Sequence, residues 1–220
     1  MGNETSYDLG EIARSAKIKS IIEMALDFTA MTRKFSKGSS ARIRTQLQKF
    51  LTDVDKVHDQ ATYDRLHAEF CVWFIQNIQI AERTVGKKAK RTIPAHATSF
   101  GHAAKVLDIA VKVYIYYCSL PSTDVATSLI QLLHGGLDNQ IIRHLIERFP
   151  DGGITSENLE DVDRVKYEQL QGLVRRQIRE DFHSAIHPVQ HDDILFRKLN
   201  RPAEGEFQIA LGEQKVPHND

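Results

Sequence analysis

With only two cysteines, Cys71 and Cys118, both set in apolar runs, the chain lacks the material for a disulfide framework or a four-thiolate zinc site. Buried free thiols in a reducing, cytoplasmic setting are the expectation. Six prolines and twelve glycines in 220 residues are sparse punctuation, so the chain reads as long helices joined by short loops. Net charge is missing as well: 29 basic residues balance 29 acidic ones. That excludes a global field drawing the whole chain onto nucleic acid or an acidic membrane, and any such role falls to local patches. Long hydrophobic runs are also lacking. The most apolar stretch, residues 106–118, is broken by Asp108 and Lys112 and is too short to span a bilayer. The opening MGNETSYDLGEIARSAK is polar and does not read as a signal peptide. Gly2 and Ser6 satisfy the minimal myristoylation pattern, but no basic cluster follows closely enough to act as a second anchor, and no membrane partner is expected.

What remains is helical periodicity almost everywhere. A first helix is expected from Leu9 to Arg33, burying Ile12, Ala16, Ile21, Ile22, Ala25, Leu26 and Phe28. A second carries Ile43, Leu47, Phe50, Leu51, Val54 and Val57 on one stripe. A third, capped by Asp59, turns Tyr63, Leu66, Phe70, Trp73, Phe74 and Ile78 inward. No strand pattern competes. Residues 83–98 lose the period and read as a linker, broken by Gly86 and Pro94. After it come a strongly apolar helix from Ser99 to Leu120, a shorter one over 123–133, and a turn at 134–137. Asp138 then caps a helix to Phe149, a loop follows, and a charged helix runs to Ala185. Pro188 ends that helix, and Asp192 or Asp193 caps a last one through Leu199. The fold class is all-α: one domain over residues 1–201, with seven or eight helices around a buried central helix at 99–120. Residues 202–220 read as a mobile tail, in which Glu206–Leu211 alternates enough for a short strand.

Three constellations carry chemistry. On the 99–120 helix, His102, Lys105, Asp108, Lys112, Tyr116 and Ser119 recur every three or four residues and so form one seam on an otherwise apolar helix. Unpaired buried charge is costly, so the seam must face a cleft, pair internally or border solvent. Lys105 and Lys112 could hold a phosphate, with Asp108 positioning them. Around 83–91, Arg83, Lys87, Lys88, Lys90 and Arg91 are basic with no acid among them, a composition suited to backbone phosphates, although a merely solvated loop has the same look. No aromatic residue interleaves to stack bases. Near the C-terminus, His183, His187 and His191 recur every fourth residue and run into Asp192 and Asp193. His183 and His187 at i and i+4 suit a metal, with His191 as a third ligand beyond Pro188. Ser184-Ala185 stand where a His-Glu-x-x-His metalloprotease has its glutamate. No motif names a cofactor.

Arg176, seven residues before His183 on a late helix, resembles the Arg-x4-6-His element of the HEPN superfamily, which includes metal-independent ribonucleases. The resemblance implies that Arg176 would stabilise charge on a scissile phosphate while His183 moves a proton; Gln177 follows Arg176 where the family has Asn, Asp or His. A second resemblance covers residues 99–145. SFGHAAKVLDIAVKVYIYYCSLP followed by LLHGGLDNQII is similar to a group of bacterial helical proteins with an aromatic-Gly-x-Ala-x-Lys helix start, a later Lys, and Leu-His-x-x-x-Asp opening a helix. Gly101, Lys105, Lys112, His134 and Asp138 are the matching positions. The helix, Gly135-Gly136 turn and capped helix also resemble helix-hairpin-helix modules, which hold DNA phosphates by turn amides; those modules read Gly-apolar-Gly, where this chain has Gly-Gly-Leu.

The leading expectation is a nucleic-acid-associated protein contacting phosphates through Lys87, Lys88, Lys90, Arg91, Lys105, Lys112 and the 134–138 turn. The alternatives are a ribonuclease using Arg176 and His183, a phosphodiesterase with metal on His183, His187 and His191, and an adaptor with no catalytic site. Val106, Ile109, Ala110, Val113 and Tyr117 are expected to be inaccessible.

Overall fold

A computed structural model describes residues 9–29, 31–86 and 90–200. Among them the chain is all-α, with eight α-helices: α1 (Leu9–Thr29), α2 (Ser39–Asp53), α3 (Gln60–Asn77), α4 (Phe100–Val111), α5 (Thr123–Ile130), α6 (Asn139–Arg148), α7 (Arg164–Phe182) and α8 (Pro188–Asn200). Capping follows side-chain chemistry. Asp59 accepts from the Thr62 N–H at the start of α3, Asp138 from Gln140 and Ile141 at α6, and Asp163 from Lys166 at α7. Ser99 and His102 close a reciprocal capping box on α4. No helix of the described residues is long and apolar enough to cross a membrane.

α4 is the axis. It packs against α1, α2, α3 and α7, and Ala103, Val106, Leu107 and Val111 along it have no accessible surface. The expected single helix to Leu120 changes pitch at its end: Lys112–Tyr117 is π-helical. The wider turn leaves Tyr117 52% exposed, and Ile109, earlier in α4, borders a cleft and is only partly buried, whereas Val106, Ala110 and Val113 are inaccessible as expected. At its other end α4 meets the 159–162 segment so closely that only glycine fits. The Gly101 N–H donates to the Val162 carbonyl at 2.9 Å, and a Cβ at Gly101 would stand 2.5 Å from the Leu159 oxygen.

Four differences from the sequence reading matter for the site. First, α1 buries Ile18, Ile21, Ile22, Ala25 and Leu26, but Ile12, Ala16 and Phe28 face outward. Second, the supposed linker holds two small antiparallel pairs, β1 (Gln79–Ile80) with β4 (His96–Ala97) and β2 (Arg83–Val85) with β3 (Arg91–Ile93). Strands this short carry no alternation for a sequence to show. Third, the 134–137 turn is no surface hairpin. It is a buried strap whose Gly135 N–H and carbonyl are both satisfied by the Gln171 amide, at 3.1 and 2.8 Å. Fourth, α7 stops at Phe182 with His183 in the left-handed region, and Pro188 opens α8 instead of ending α7, as proline's fixed φ allows in a first turn. Residues 202–220, including 206–211, lie outside the described residues.

Candidate functional site

The seam on α4 divides into two polar centres. Asp108 does not position the lysines. It turns into the core towards α3 and α7, accepting from His67 Nε2 at Oδ1 (3.0 Å) and from the Tyr167 hydroxyl at Oδ2 (2.8 Å). His134, on the buried strap, brings Nδ1 to 2.9 Å from the same hydroxyl and Nε2 to 3.0 Å from Oδ1 of Asp64. Asp64, His67 and Cys71 follow one another along the same side of α3, with the Cys71 thiol 3.8 Å from His67 Nδ1. His67 and Tyr167 stack with their centroids 5.2 Å apart. Burial lowers His134 from its ordinary pKa against the pull of Asp64, and burial with the Asp108 charge keeps the Tyr167 phenol neutral. Burial also opposes charge on His67, yet Cys71 and Asp108 beside it outweigh that and raise its pKa.

The second centre lines an open cleft of about 300 Å³ between α1, α4, α6 and α8. Lys112 reaches across to α8, donating to Asp192 Oδ2 at 2.6 Å and to Asp193, and the Tyr117 hydroxyl donates to Asp193 at 2.6 Å. Burial pushes the Asp192 carboxyl up while Lys112 pulls it down; Lys112 itself stays raised despite burial because two carboxylates surround it. Gly136 lies against the Asp192 carboxylate, 3.0 Å from where its Cβ would be. Lys105 is less committed: Asp138, its nearest acid, is 4.0 Å away, and burial lowers its pKa. Phe28, Ile109, Leu137, Ile141 and Phe196 form the apolar wall.

Lys105 and Asp138 also border a second, more polar cleft of about 370 Å³ with Lys34, His102, Asn158 and Glu160. Burial first, then the Lys34, His96 and Lys105 charges, hold His102 neutral with a pKa of about 4, Glu160 opposing them. The 31–38 segment is tied to β1 by the Ala81 N–H donating to the Lys34 carbonyl at 2.7 Å and the Ser36 N–H to Gln79 at 2.9 Å. Arg33, Lys34 and Lys37 thereby belong to a segment anchored at Gln79 and Ala81, just before the β2–β3 hairpin with its exposed Arg83, Lys90 and Arg91. Among the described residues no carboxylate lies within ion-pair distance of any of these six. Lys87 and Lys88 lie outside the described residues.

No family model, curated protein or solved structure matches this chain. The geometry therefore has to carry its own interpretation. Of the positions singled out in the sequence, Lys105, Lys112 and Asp138 come together in the first cleft, joined by Asp192 and Asp193. Those two aspartates are not helix caps. They lie inside α8 and bind Lys112, a correction that follows from Pro188 opening the helix. It also takes Lys112 out of the free phosphate-binding set, since two carboxylates already occupy it. The histidine ladder is dismantled by the same shift: His183 is the exposed C-cap of α7, His187 precedes α8, and His191 is buried in α8 beside Phe182. Arg176 is held by Asp151 and Glu180 over the Phe149 ring, and no hydrogen bond joins it to His183 among the described residues. The metal-ligand geometry present among the described residues is elsewhere, at His67, Asp108 and His134. Sequence reading passed over His67, Asp64 and Tyr167. The available signal was a set of polar residues in register with an apolar stripe, Asp64 and His67 beside Tyr63, Phe70 and Phe74.

Proposed function

We propose that this protein binds the phosphate backbone of nucleic acid, using the β2–β3 hairpin, the 31–38 segment and the polar cleft that Lys34 and Lys105 border. The observation that carries this reading is that two short basic segments, distant in sequence, meet where the chain leaves β1, the 31–38 segment bonded at Gln79 and Ala81 and the other forming the β2–β3 hairpin that begins at Arg83, with no carboxylate within ion-pair distance of their cations among the described residues. Arg33, Lys34, Lys37, Arg83, Lys90 and Arg91 are exposed there, and Lys87 and Lys88 fall between Val85 and Arg91 in the sequence. In a chain with no net charge, such a concentration makes a local field where binding a polyanion releases counterions. A two-stranded ribbon is narrow enough for a major groove about 12 Å wide. The polar cleft sets Lys34, Lys105, side-chain amides and a neutral histidine beside the carboxylates of Asp138 and Glu160 and has no aromatic platform, so phosphate contact there falls to its two lysines and stacking on bases is not favoured.

The test is fluorescence anisotropy with mixed-sequence DNA and RNA across a salt series. The unmodified protein should bind both at low salt with a steep salt dependence. Changing Lys34, Lys90 and Arg91 together to glutamine should weaken binding to unrelated sequences alike. It should also flatten the log–log salt slope by about 0.9 for each duplex DNA phosphate that the variant no longer neutralises. Absence of binding at low salt removes the proposal.

A further inference from the structure

We infer that His67, Asp108 and His134 are the ligands of a closed site for a divalent transition-metal ion, zinc in the first place, with the Tyr167 oxygen at its fourth corner. The ligand atoms of the three residues lie within 4.8 Å of one another. The Tyr167 oxygen stands 2.9 Å from His134 Nδ1, 2.8 Å from Asp108 Oδ2 and 3.3 Å from His67 Nε2. A tetrahedral ion with bonds of about 2.0 Å has ligand–ligand edges of about 3.3 Å; the contacts to the Tyr167 oxygen are within about 0.5 Å of that edge, and the three ligand atoms, within 4.8 Å of one another, would close in by up to about 1.5 Å to enclose one. Two imidazoles and a carboxylate suit zinc, cobalt or ferrous iron and not calcium or magnesium, which prefer an all-oxygen shell.

Donor and acceptor geometry supplies the second argument. Each imidazole already spends its outer nitrogen elsewhere. His134 Nε2 faces Asp64, which as a carboxylate only accepts, so a ring proton belongs there, and in the singly protonated ring the inner Nδ1 is a bare lone pair. A metal-bound histidine whose far nitrogen donates to a carboxylate is the usual outer shell of such sites. His67 likewise turns Nδ1 towards the Cys71 sulfur and Nε2 inward. Inside, the single phenol hydrogen of Tyr167 faces two acceptors, His134 Nδ1 and Asp108 Oδ2. With a singly protonated His134, one of those short contacts is left without a hydrogen. A cation among the lone pairs removes the conflict. The site would tie α3, α4, the buried strap and α7 together at the centre of the core.

Elemental analysis of the purified chain should find about one zinc-like ion per molecule. After chelation, cobalt should restore one equivalent and give the intense visible absorption of a tetrahedral ion. Asp64→Asn, at a half-exposed position on α3, should weaken metal affinity about 10–100-fold while leaving the circular dichroism of the chelated protein unchanged. His134→Gln should abolish the cobalt band, and His183→Ala, an exposed change outside the site, should keep it. The inference fails if the folded, chelated chain takes up neither zinc nor cobalt at micromolar concentration with no rise in Tm. It also fails if Asp64→Asn and His134→Gln bind cobalt as the unmodified protein does.

Discussion

The interior and the basic margin of this molecule treat charge in opposite ways. Inside, the buried charges at Asp108 of α4 and at Lys112 just beyond it are answered. Asp108 receives a histidine and a phenol, and Lys112 receives two aspartates from α8, one of them as buried as the lysine. At the margin, the hairpin and the 31–38 segment carry exposed cations that no described carboxylate meets. The difference is one of solvation. A charge out of water must be paired or the fold loses several kcal/mol, whereas a solvated charge can wait for a partner at almost no cost. Groups answered internally are committed to holding helices together. Groups left in water remain free to meet a ligand, and Lys105 stands between the two classes.

The largest effect should come from breaking an internal answer. Lys112→Met strands Asp192 and Asp193 beside an apolar wall and should destabilise the chain by about 3–5 kcal/mol, read as a lowered urea midpoint. Adding Asp192→Asn to Lys112→Met should recover part of that loss, because the penalty lies in the unpaired charge and not in the missing bridge. No recovery would mean that the two are independent. Gly101→Ala should follow at about 1–3 kcal/mol: its Cβ would stand 2.5 Å from a backbone oxygen, which cannot swing away as a side-chain end would. Asp163→Ala, which removes the cap of α7, should cost about 1 kcal/mol. By contrast, Lys34→Gln, Lys90→Gln and Arg91→Gln should leave stability within about 0.5 kcal/mol while weakening polyanion binding. If they destabilise, the margin is structural after all.

The helices were legible because period and caps are local. Asp59 and Asp138 stand where their side chains meet the free N–H groups of α3 and α6, and neither needs distant contacts to be recognised. The polar centres were not legible, because each is assembled across long separations. Lys112 and Asp192 are 80 residues apart, and His134 and Asp64 are 70 apart. A helical wheel shows that Asp108 shares a seam with Lys105 and Lys112. It does not show that the seam is wide enough for Asp108 to turn inward while the lysines face the cleft. Pro188 misled for a related reason. Proline breaks a helix it interrupts but favours the first turn of one it begins, and only the path of the chain after His183 tells which. That one choice moved His191, Asp192 and Asp193 from a loop into α8.

The smallest effect lies where the margin meets the body. His96, on β4, donates from Nδ1 to the Pro94 carbonyl at 3.0 Å and from Nε2 to Glu160 at 2.8 Å. Both neighbours only accept, so the geometry is satisfied by the doubly protonated ring, and the Pro94 carbonyl first, then Glu160, raise its pKa above the ordinary histidine value. A raised folded-state pKa means that the bridge stabilises fully below the unfolded value near 6.5 and stops doing so as pH rises through the higher folded value. Both partners are exposed to solvent, so the effect on global stability should be slight. Its local consequence is larger: Glu160 borders the polar cleft and His96 pairs with β1 beneath the hairpin, so one proton links the cleft wall to the β-structure. NMR titration of the imidazole should show the raised midpoint, and Glu160→Gln should lower it without returning it fully to 6.5, since the Pro94 carbonyl remains. Polyanion affinity should fall modestly over the same interval, from the vanished charge as well as from the loosened anchor. An unshifted His96 midpoint would show that the hairpin stands without this bridge.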